Sequence, residues 1–311
     1  MSMTALRLVS TVGMQEEEWL RIRRQGIGGS DIAAIAGVHP WRSPLSVYLE
    51  KMGELEPEEN EAMRWGRILE PIVAQEFARR YPDYQVRRVN AVLQHPEVPY
   101  FLANIDREVR RRGSQPGVLE IKTSSAWMGG RWHNEVPDHV MAQVQWYLGI
   151  TGYTWAVVAV LIGGNDYREF EIERDDEVIE LLQQIGKKFW EDHVIPKVPP
   201  AAEAVDLDVL KQLHPESNGQ EISLPPTAYD LFDEYDHAKL AYSEAEKRLN
   251  AVKAKLQALL GDNECGVLGA RKVCWPTVTT VRLDAKRLQK ERPDIYEEYV
   301  KEASYRRFQV I

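Results

Sequence analysis

Glu120 and Lys122 stand two residues apart in the segment Val118–Thr123, in which the neighbouring side chains are mostly apolar. Because alternate residues of a β-strand face the same side, these two charged side chains are expected on one face. Burying a charged pair among apolar side chains costs free energy unless the pair binds something. Asp106 lies near the end of the preceding strand-like segment, so a second carboxylate is expected close to Glu120.

Two converging carboxylates are the hard oxygen ligands that Mg²⁺ and Mn²⁺ prefer. A lysine beside them can orient or deprotonate an attacking water molecule and stabilise the charge that develops at phosphorus. The spacing of Asp106, Glu120 and Lys122 therefore indicates metal-dependent hydrolysis of a phosphate ester. The same residues could also form an ordinary salt bridge on a strand surface, so the pattern is weak when it stands alone.

Two further segments can contribute to the same site. Glu70 lies on a predicted helix ahead of these strands and provides a third carboxylate. Gln143 and Tyr147, four residues apart on a later predicted helix, place an amide and a phenol on one helical face. A polar helix edge at the surface explains this last pair equally well.

Hydrophobic periodicity predicts the elements that position these residues. Helices are expected over Glu61–Tyr81, from Pro137 to about Leu148 and from about Asp175 to His193. Strands are expected over Val86–Leu93, Tyr100–Val109, Val118–Thr123, Thr154–Ile162 and Tyr167–Glu173. The fourth of these strands is almost wholly apolar, which indicates burial on both faces. This order of elements predicts an α/β fold with a central mixed sheet flanked by helices.

Two Pro-rich stretches, Pro196–Pro200 and His214–Pro226, indicate linkers. We therefore expect a main domain over residues 1–200 and an extension over residues 201–311. The extension should begin with a long helix from about Ala228 to Leu260, whose apolar residues repeat at alternating spacings of four and three. Such a helix packs along its own domain or forms a coiled coil with another chain. The elements expected after it are a hairpin over Gly266–Val281 and a final helix over Asp284–Ala303.

The chain has 311 residues, of which 44% are apolar and 28% are charged. This balance is typical of a soluble globular protein and argues against a collagen-like repeat, long disorder or a membrane protein. No run of about 20 apolar residues occurs, and the N-terminus has no signal-peptide pattern, so a cytoplasmic protein with no membrane partner is expected. The two cysteines, Cys265 and Cys274, are too few for a disulfide framework or a four-cysteine metal site, and reduced thiols are expected.

The net charge of −9 is unevenly distributed. Residues 62–135 carry 12 basic and 8 acidic side chains, a net charge of +4, with arginine clusters at Arg79–Arg80, Arg87–Arg88 and Arg110–Arg112. Such clusters can bind phosphate groups, although solvated arginines on turns and strand ends explain them equally well. Composition alone therefore does not decide whether nucleic acid is a partner.

A further block of small residues carries a family resemblance. Arg23 is followed by Gly26–Gly37, which reads GIGGSDIAAIAG, and the later segments Gln143–Gln145 and Ile172–Asp176 extend the match. Together with the acidic residues and Lys122, these motifs resemble the YqaJ-type viral recombinase (phage lambda exonuclease) family of the PD-(D/E)xK nuclease superfamily. The resemblance spans about Trp19 to Ile195 and implies a restriction-endonuclease-like core.

The resemblance implies a metal site and a role for each catalytic residue. The carboxylates of Glu70, Asp106 and Glu120, with the backbone carbonyl of Ile121, would hold two Mg²⁺ ions, for which Mn²⁺ could substitute. Lys122 would assist the nucleophilic water. Gln143 would fix the site around that water and the scissile strand.

Arg23 and Ser30 match positions at which members of the family hold the 5′-terminal phosphate of DNA. Ser30 is expected to be the N-cap of a helix that begins near Asp31, where backbone N–H groups favour an anion. A simple turn with a helix cap would also explain Ser30 and the glycines. It would not explain Arg23, seven residues upstream.

The activity implied by the resemblance is a Mg²⁺-dependent 5′ to 3′ exonuclease that acts on ends of double-stranded DNA. It would leave 3′ single strands for a phage single-strand annealing protein, act as a ring-shaped homotrimer and work in the cytoplasm of a bacterial host. The alternatives are an endonuclease, a Cas4-like nuclease or a non-catalytic DNA-end-binding protein. Two cysteines cannot hold the iron–sulfur cluster of a Cas4-like enzyme, and unpaired acids would repel DNA without metal.

Overall fold

The computed structural model of the protein describes residues 5–56, 60–302 and 304–310. The chain divides into two compact units, Met1–Leu213 and His214–Ile311. The division lies 13 residues beyond the boundary expected at residue 200. The reason is that the first residues of the predicted extension pack into the first unit, where the buried Asp206 carboxylate accepts a hydrogen bond from the Ser43 hydroxyl.

The first unit contains eight strands and seven α-helices among the described residues. In chain order these are β1 (Leu6–Ser10), α1 (Glu16–Arg24), α2 (Gly29–Ile35), α3 (Pro44–Met52), α4 (Glu61–Arg80), β2 (Tyr84–Arg87), β3 (Ala91–Gln94), β4 (Leu102–Ala103), β5 (Arg107–Arg111), β6 (Pro116–Ser124), α5 (Asp138–Thr151), β7 (Trp155–Ile162), β8 (Asp166–Glu173), α6 (Asp176–Phe189) and α7 (Leu207–Leu213). Short 3₁₀ helices cover Ala126–Trp132 and Ala204–Asp206, and a π-helical turn, Trp190–Val194, extends α6.

The central sheet has five strands in the order β2-β5-β6-β7-β8. Strands β6 and β7 are parallel, with Glu120 opposite Val158, and the other pairs are antiparallel. The predicted mixed sheet is therefore confirmed. The prediction that the apolar strand is buried on both faces is also confirmed, since the five residues Ala156–Val160 of β7 are all buried.

Helices cover both faces of this sheet. Helix α4 places Val73 and Phe77 against Leu119 and Ile121 of β6. Helices α2, α5 and α6 belong to the core on the other face, which includes Val118 of β6. Because side chains alternate along a strand, Glu120 and Lys122 lie on the same face as Val118, beneath α5. The predicted shared face of these two residues is confirmed.

A second sheet has three antiparallel strands in the order β1-β3-β4. The prediction of one continuous strand over Val86–Leu93 is wrong, because β2 joins the central sheet while β3 joins the second sheet. The chain turns between them at Asn90, whose φ is 43°. Asparagine is among the residues that adopt this left-handed conformation most readily.

The prediction of one strand over Tyr100–Val109 is also wrong. Strand β4 pairs with β3 in the second sheet, whereas β5 pairs with β6 in the central sheet. Residues 104–106 connect the two sheets, so Asp106 lies in the break directly ahead of β5. Strand β5 pairs with β6 only as far as Arg107 and Leu119, which leaves one edge of β6 without a neighbouring strand from Glu120 onward.

The predicted helices lie close to their expected positions. Helix α4 runs over Glu61–Arg80, and α5 begins immediately after Pro137. Helix α2 differs, because it begins at Gly29 with Gly28 as its N-cap, so the prediction that Ser30 caps a helix from Asp31 is wrong. The Asp31 carboxylate accepts a hydrogen bond from the Gly28 N–H at 3.0 Å and performs the capping instead.

The second unit contains α8 (Ala228–Leu260), β9 (Cys265–Leu268), β10 (Arg271–Cys274), α9 (Ala285–Glu291) and α10 (Pro293–Tyr299). The predicted long helix is confirmed. The hairpin is shorter than expected and pairs Cys265 with Cys274, which form a disulfide, so the expectation of reduced thiols is wrong. The predicted final helix is interrupted, because Pro293 cannot continue an N–H hydrogen-bond ladder and instead begins α10.

Among the residues that the structure describes, no helix is both long enough and apolar enough to span a membrane.

Candidate active site

Glu120, Lys122 and Gln143 form a closed hydrogen-bonded group between β6 and α5. Lys122 Nζ donates to Glu120 Oε1 and to Gln143 Oε1, both at 2.8 Å. Gln143 Nε2 donates to Glu120 Oε1 at 2.7 Å and to the hydroxyl of Tyr147 at 3.0 Å. Glu120 is 2% exposed, so each side chain of the group is held in one orientation in a place that excludes most water.

The glycine-rich turn ahead of α2 allows that helix to approach this group. A Cβ atom on Gly29 would lie 2.6 Å from Tyr147 Cε1 and 2.8 Å from Gln143 Cγ. Only glycine leaves room for the two side chains at this distance. This requirement explains the glycine at position 29, and it places the start of α2 against the face of α5 that carries Gln143 and Tyr147.

We expect Gly29→Ala to lower nuclease activity more than it lowers stability. The added methyl group must displace Gln143 or Tyr147, and Gln143 orients both Glu120 and Lys122. The measurement is the rate of DNA hydrolysis alongside the thermal midpoint of unfolding. Gly130→Ala is the matched control, because a Cβ at Gly130 meets no atom within 4 Å. Equal activities in the two variants would contradict this account of Gly29.

One oxygen of the Glu120 carboxylate has no hydrogen-bond partner in the described part of the chain. Oε1 accepts two hydrogen bonds, whereas the buried Oε2 accepts none from the described residues. Burial raises the pKa of the Glu120 carboxyl; Lys122 opposes this shift, and the negative charge of Glu70 adds to it. A buried carboxylate oxygen without a donor is costly, so Glu120 Oε2 is suited to binding a cation.

Asp106 provides the second carboxylate at the same edge of β6. Its Oδ2 accepts a hydrogen bond from the backbone N–H of Ile121 at 2.8 Å. Burial, and then the charge of Glu120, hold the pKa of Asp106 well above its usual range. Burial alone would lower the pKa of Lys122, but the charges of Glu120 and Asp106 raise it.

The backbone of Ile121 faces the same edge. In a strand, the N–H and C=O groups of one residue point to the same side, which is how paired residues exchange both hydrogen bonds. Because the Ile121 N–H binds Asp106, the Ile121 carbonyl also points to the edge where β5 has ended. Because of the break between β4 and β5, the Asp106 carboxylate and the Ile121 carbonyl lie at an edge of β6 that no strand of the described chain covers.

The Glu70 carboxylate binds arginine side chains and does not join Asp106 and Glu120 in one cluster of acids. Its Oε1 binds Arg107 NH1 at 2.6 Å and lies 3.7 Å from Arg88 NH2. Arg107 pairs with Leu119, so it lies on the α4 face of the sheet, whereas Glu120 lies on the α5 face. Within the described parts of the chain, no three His, Cys, Asp or Glu side chains are close enough to hold a metal ion together.

The donors at the edge of β6 fit a hard divalent cation. They are Asp106, the unpartnered Glu120 Oε2 and the Ile121 carbonyl, all of them oxygen atoms of the kind that Mg²⁺ and Mn²⁺ prefer. A polar cleft of about 300 Å³ opens beside them and is lined by both Asp106 and Glu70. Glu70 could join the set from this cleft if it released Arg107.

Arg23 and Ser30 are brought together across seven residues of sequence. Arg23 NH2 donates to Ser30 Oγ at 3.4 Å and to Asp31 Oδ1 at 3.1 Å. The Arg23 side chain is 31% exposed. The two residues therefore form a small polar site beside the start of α2, with the guanidinium group partly open to solvent.

The polar site of Arg23 and Ser30, called the phosphate pocket below, contains three further charged residues. These are Asp31, Arg42 and Lys51, and the sequence analysis did not predict them as site residues. The buried Asp31 carboxylate also binds Arg42 NH2 at 3.1 Å and Lys51 Nζ at 2.6 Å. Burial alone would raise the pKa of Asp31, but the charges of Lys51, Arg23 and Arg42 hold it well below its usual range. Asp31 could have been found from the sequence, because it belongs to the GGSD motif. Arg42 and Lys51 could not, because their spacings from Asp31 match no local pattern.

The pocket has an excess of positive charge. Arg23, Arg42 and Lys51 face two carboxylates, Asp31 and Glu50, and Arg42 binds both of these acids. The pocket therefore carries one uncompensated positive charge. Partly exposed guanidinium groups bind phosphate through paired, charge-assisted hydrogen bonds, so the chemistry of the pocket fits a phosphate group.

Comparisons with known proteins show the family of this chain. Residues 18–154 match the family model described as the YqaJ-like viral recombinase domain. A protein of Bacillus subtilis (strain 168), the uncharacterized protein YqaJ, is 37% identical over 303 residues, which cover 95% of this chain and 94% of that relative. The chain belongs to the YqaJ-like viral recombinase family. Family membership identifies the protein as a deoxyribonuclease of an exonuclease family that generally uses divalent metal ions.

Solved structures show the same fold. An alkaline exonuclease, LHK-Exo of Laribacter hongkongensis, aligns with a TM-score of 0.50 and 22% identity over 63% of this chain and 96% of that chain. The structure of LHK-Exo in complex with dAMP aligns with the same TM-score and 21% identity. The predicted PD-(D/E)xK fold and the predicted membership of the YqaJ family are both confirmed.

Proposed function

We propose that this YqaJ-family protein is a Mg²⁺-dependent exonuclease that degrades double-stranded DNA from its 5′ ends and leaves 3′ single strands. The observation that carries the proposal is the buried Glu120 carboxylate with its unpartnered oxygen. It lies beside Asp106 and is bound to Lys122 and Gln143. A carboxylate set with a partly buried lysine suits hydrolysis of a phosphodiester better than simple DNA binding, because acids without metal repel phosphate.

In this proposal the metal ligands are Asp106, Glu120 and the Ile121 carbonyl, with Glu70 joining after release from Arg107. When bound, Mg²⁺ would polarise the scissile phosphate and lower the pKa of a water molecule bound to the metal. Mn²⁺ should substitute, because it prefers the same oxygen donors. The carboxylates would lose their mutual repulsion once they share a cation.

The roles of the other two residues follow from their contacts. The charges of Glu120 and Asp106 favour the protonated form of Lys122, and two of its three N–H groups donate to Glu120 and Gln143. The third N–H would donate to the attacking water, and the positive charge would stabilise the phosphate oxygen that gains charge. Gln143 keeps the Lys122 ammonium group and the Glu120 carboxylate in position through one hydrogen bond to each. Both residues are positioned before substrate binds, which reduces the reorganisation needed during reaction.

The pocket of Arg23 and Ser30 would bind the 5′-terminal phosphate. Its excess positive charge and its position against α5 support this assignment. Binding a terminal phosphate close to the metal site would select DNA ends over internal positions, which is the property that separates an exonuclease from an endonuclease.

The decisive experiment compares linear duplex DNA with covalently closed circles in Mg²⁺. We expect the linear DNA to be degraded, with label released early from the 5′ end and late from the 3′ end, and the circles to persist. Cutting of circles at a similar rate would indicate an endonuclease. Absence of cutting with intact end binding would indicate a non-catalytic end-binding protein. Either result would reject the exonuclease proposal.

Arg23→Ala should remove most of the preference for a 5′-phosphorylated end over a 5′-hydroxyl end. We expect wild type to favour the phosphorylated duplex by about tenfold or more in kcat/KM, because a charge-assisted hydrogen bond contributes about 1.5–3 kcal/mol. The measurement is the ratio of kcat/KM for the two duplexes in each protein. Arg21→Ala, on the same helix but without a contact to Ser30 or Asp31, is the control, and an unchanged ratio in Arg23→Ala would reject the assignment.

The remaining features of the proposal concern assembly. We propose a homotrimer that surrounds DNA, a phage-type single-strand annealing protein as partner, and action in the bacterial cytoplasm on behalf of a phage or prophage. These follow from the family rather than from contacts of this chain. Residues 201–311 would be an extension without catalytic residues, because each proposed ligand precedes Gln145. Helix α8 leaves several apolar side chains exposed, such as Leu231 and Leu249, and these could contribute to assembly.

A further inference from the structure

Three aromatic side chains form a cluster beside the candidate active site. The rings of His39, Trp41 and His139 contact one another edge to face, with centroids 5.4 to 6.0 Å apart. His39 Nδ1 accepts a hydrogen bond from the backbone N–H of Trp41 at 3.3 Å. The Trp41 side chain is nevertheless 62% exposed. Tryptophan is highly buried on average, so an indole that is held by two rings and still open to solvent is suited to contact a flat ligand.

The cluster lies between the two parts of the site. His139 is four residues ahead of Gln143 on α5, so both side chains project from the same helical face. His39 is three residues ahead of Arg42, which binds Asp31 in the phosphate pocket. One edge of the cluster therefore adjoins the group that contains Lys122, and the other adjoins the phosphate pocket.

The two imidazole rings carry no charge at neutral pH. Burial, and then the charge of Arg42, lower the pKa of His39 to about 4. His139 and Lys122 lower this pKa further, and Asp31 raises it by a smaller amount. Burial and the charge of Lys122 also lower the pKa of His139. Neutral rings attract phosphate weakly, so the cluster offers aromatic faces rather than a further charge.

We propose that Trp41, held in place by His39 and His139, stacks on the base of the 5′-terminal nucleotide. This inference rests on the proposed function. A terminal nucleotide with its 5′-phosphate at Arg23 and its scissile phosphodiester at Lys122 has its base between these two points, where the cluster lies. Every base has an aromatic face, so stacking tolerates any sequence, as an enzyme that degrades DNA of any sequence requires.

The test is a double-mutant cycle between Trp41 and the terminal base, read as binding in Ca²⁺ without hydrolysis. The probes are two duplexes with one 5′-phosphorylated blunt end, which carries either deoxyadenosine or a stable abasic residue at its 5′ terminus. Removing the base should weaken binding to wild type by about tenfold. Trp41→Ala should weaken binding of the intact end by a similar factor and should show no further loss with the abasic end. Trp41→Phe should retain most of the affinity.

Trp275→Ala is the matched control, since Trp275 is 53% exposed and belongs to the second unit. It should bind both ends as wild type does, and thermal midpoints should show that all variants fold. The proposal is overturned if the effects of Trp41→Ala and of base removal multiply, or if Trp41→Ala binds the intact end normally. If either result is obtained and the protein still cleaves linear DNA, only the stacking proposal is rejected and the proposed exonuclease function is retained. The exonuclease proposal itself would be rejected if the wild-type protein neither cuts nor binds 5′ ends.

Discussion

Lys122→Ala is expected to reduce the rate of DNA hydrolysis by about a thousandfold or more. Lys122 Nζ donates a hydrogen bond to Glu120 Oε1. In the proposed mechanism its loss removes the ammonium group that assists the attacking water and stabilises the charge at phosphorus. Glu120→Gln should have an effect of the same order, because the amide keeps the shape of the side chain but cannot provide a carboxylate ligand. The measurement is the single-turnover rate in Mg²⁺ with a 5′-phosphorylated duplex.

Binding of the same duplex in Ca²⁺ separates catalysis from substrate binding. Lys122→Ala should bind DNA within a few-fold of wild type, since phosphate contacts provide most of the affinity for DNA. Lys187→Ala is the control for loss of a lysine, because Lys187 is exposed on α6 and its ion pair with Glu191 is long, at 3.9 Å, and lies at the surface. Near-normal hydrolysis in Glu120→Gln would place the active site elsewhere. Glu70→Gln should lose less activity than Glu120→Gln, because Glu70 is bound to Arg107 on the other face of the sheet.

Asp31→Asn is expected to lower the free energy of unfolding by about 3–5 kcal/mol, the usual cost of leaving a buried charge without its partner. The substitution removes the carboxylate that the Lys51 ammonium group binds at 2.6 Å, and the Lys51 side chain is only 2% exposed. Arg23 and Arg42 also lose their shared acceptor. The measurement is urea denaturation at pH 7. The curves of the wild type and the variant are fitted with one common dependence of the unfolding free energy on urea concentration.

The pH dependence gives an independent check on Asp31. The pKa of its carboxyl is lower in the folded protein than the value of about 3.9 expected in the unfolded chain. The stabilisation from this carboxylate is therefore present above about pH 4 and is lost as the pH falls below that value. The difference in stability between wild type and Asp31→Asn should shrink over the same range. Glu76→Gln, which removes the surface partner of the exposed Arg79 and Arg80 side chains, should change stability little. A similarly small change in Asp31→Asn would contradict the buried network.

Local patterns in the sequence determined several features of the protein correctly. The two-residue period of a strand placed Glu120 and Lys122 on one face. The helical period located α4, α5 and α8. These features depend on residues within a few positions of one another, so the sequence contains the information needed to predict them. The membership of the YqaJ family also rested on short contiguous motifs.

The tertiary structure alone decided how distant segments meet. Val86–Leu93 and Tyr100–Val109 each resemble one strand, because apolar residues recur through both, but each is divided between two sheets. Strand propensity is local, whereas the choice of partner strand depends on packing across the whole unit. The second of these breaks places Asp106 against Ile121.

The same reason explains two sets of contacts that the sequence did not predict, the pairing of Glu70 with Arg107 and the charged network of Asp31. Glu70 lies on the α4 face with Arg107, and Asp31 gathers Arg42 and Lys51 from positions 11 and 20 residues away. No periodic pattern links such residues, because their proximity results from helices that pack side by side and from a sheet that separates the two faces. The residue types proposed for the chemistry could thus be identified from the sequence, while the pairing of their charges was determined only by the folded structure.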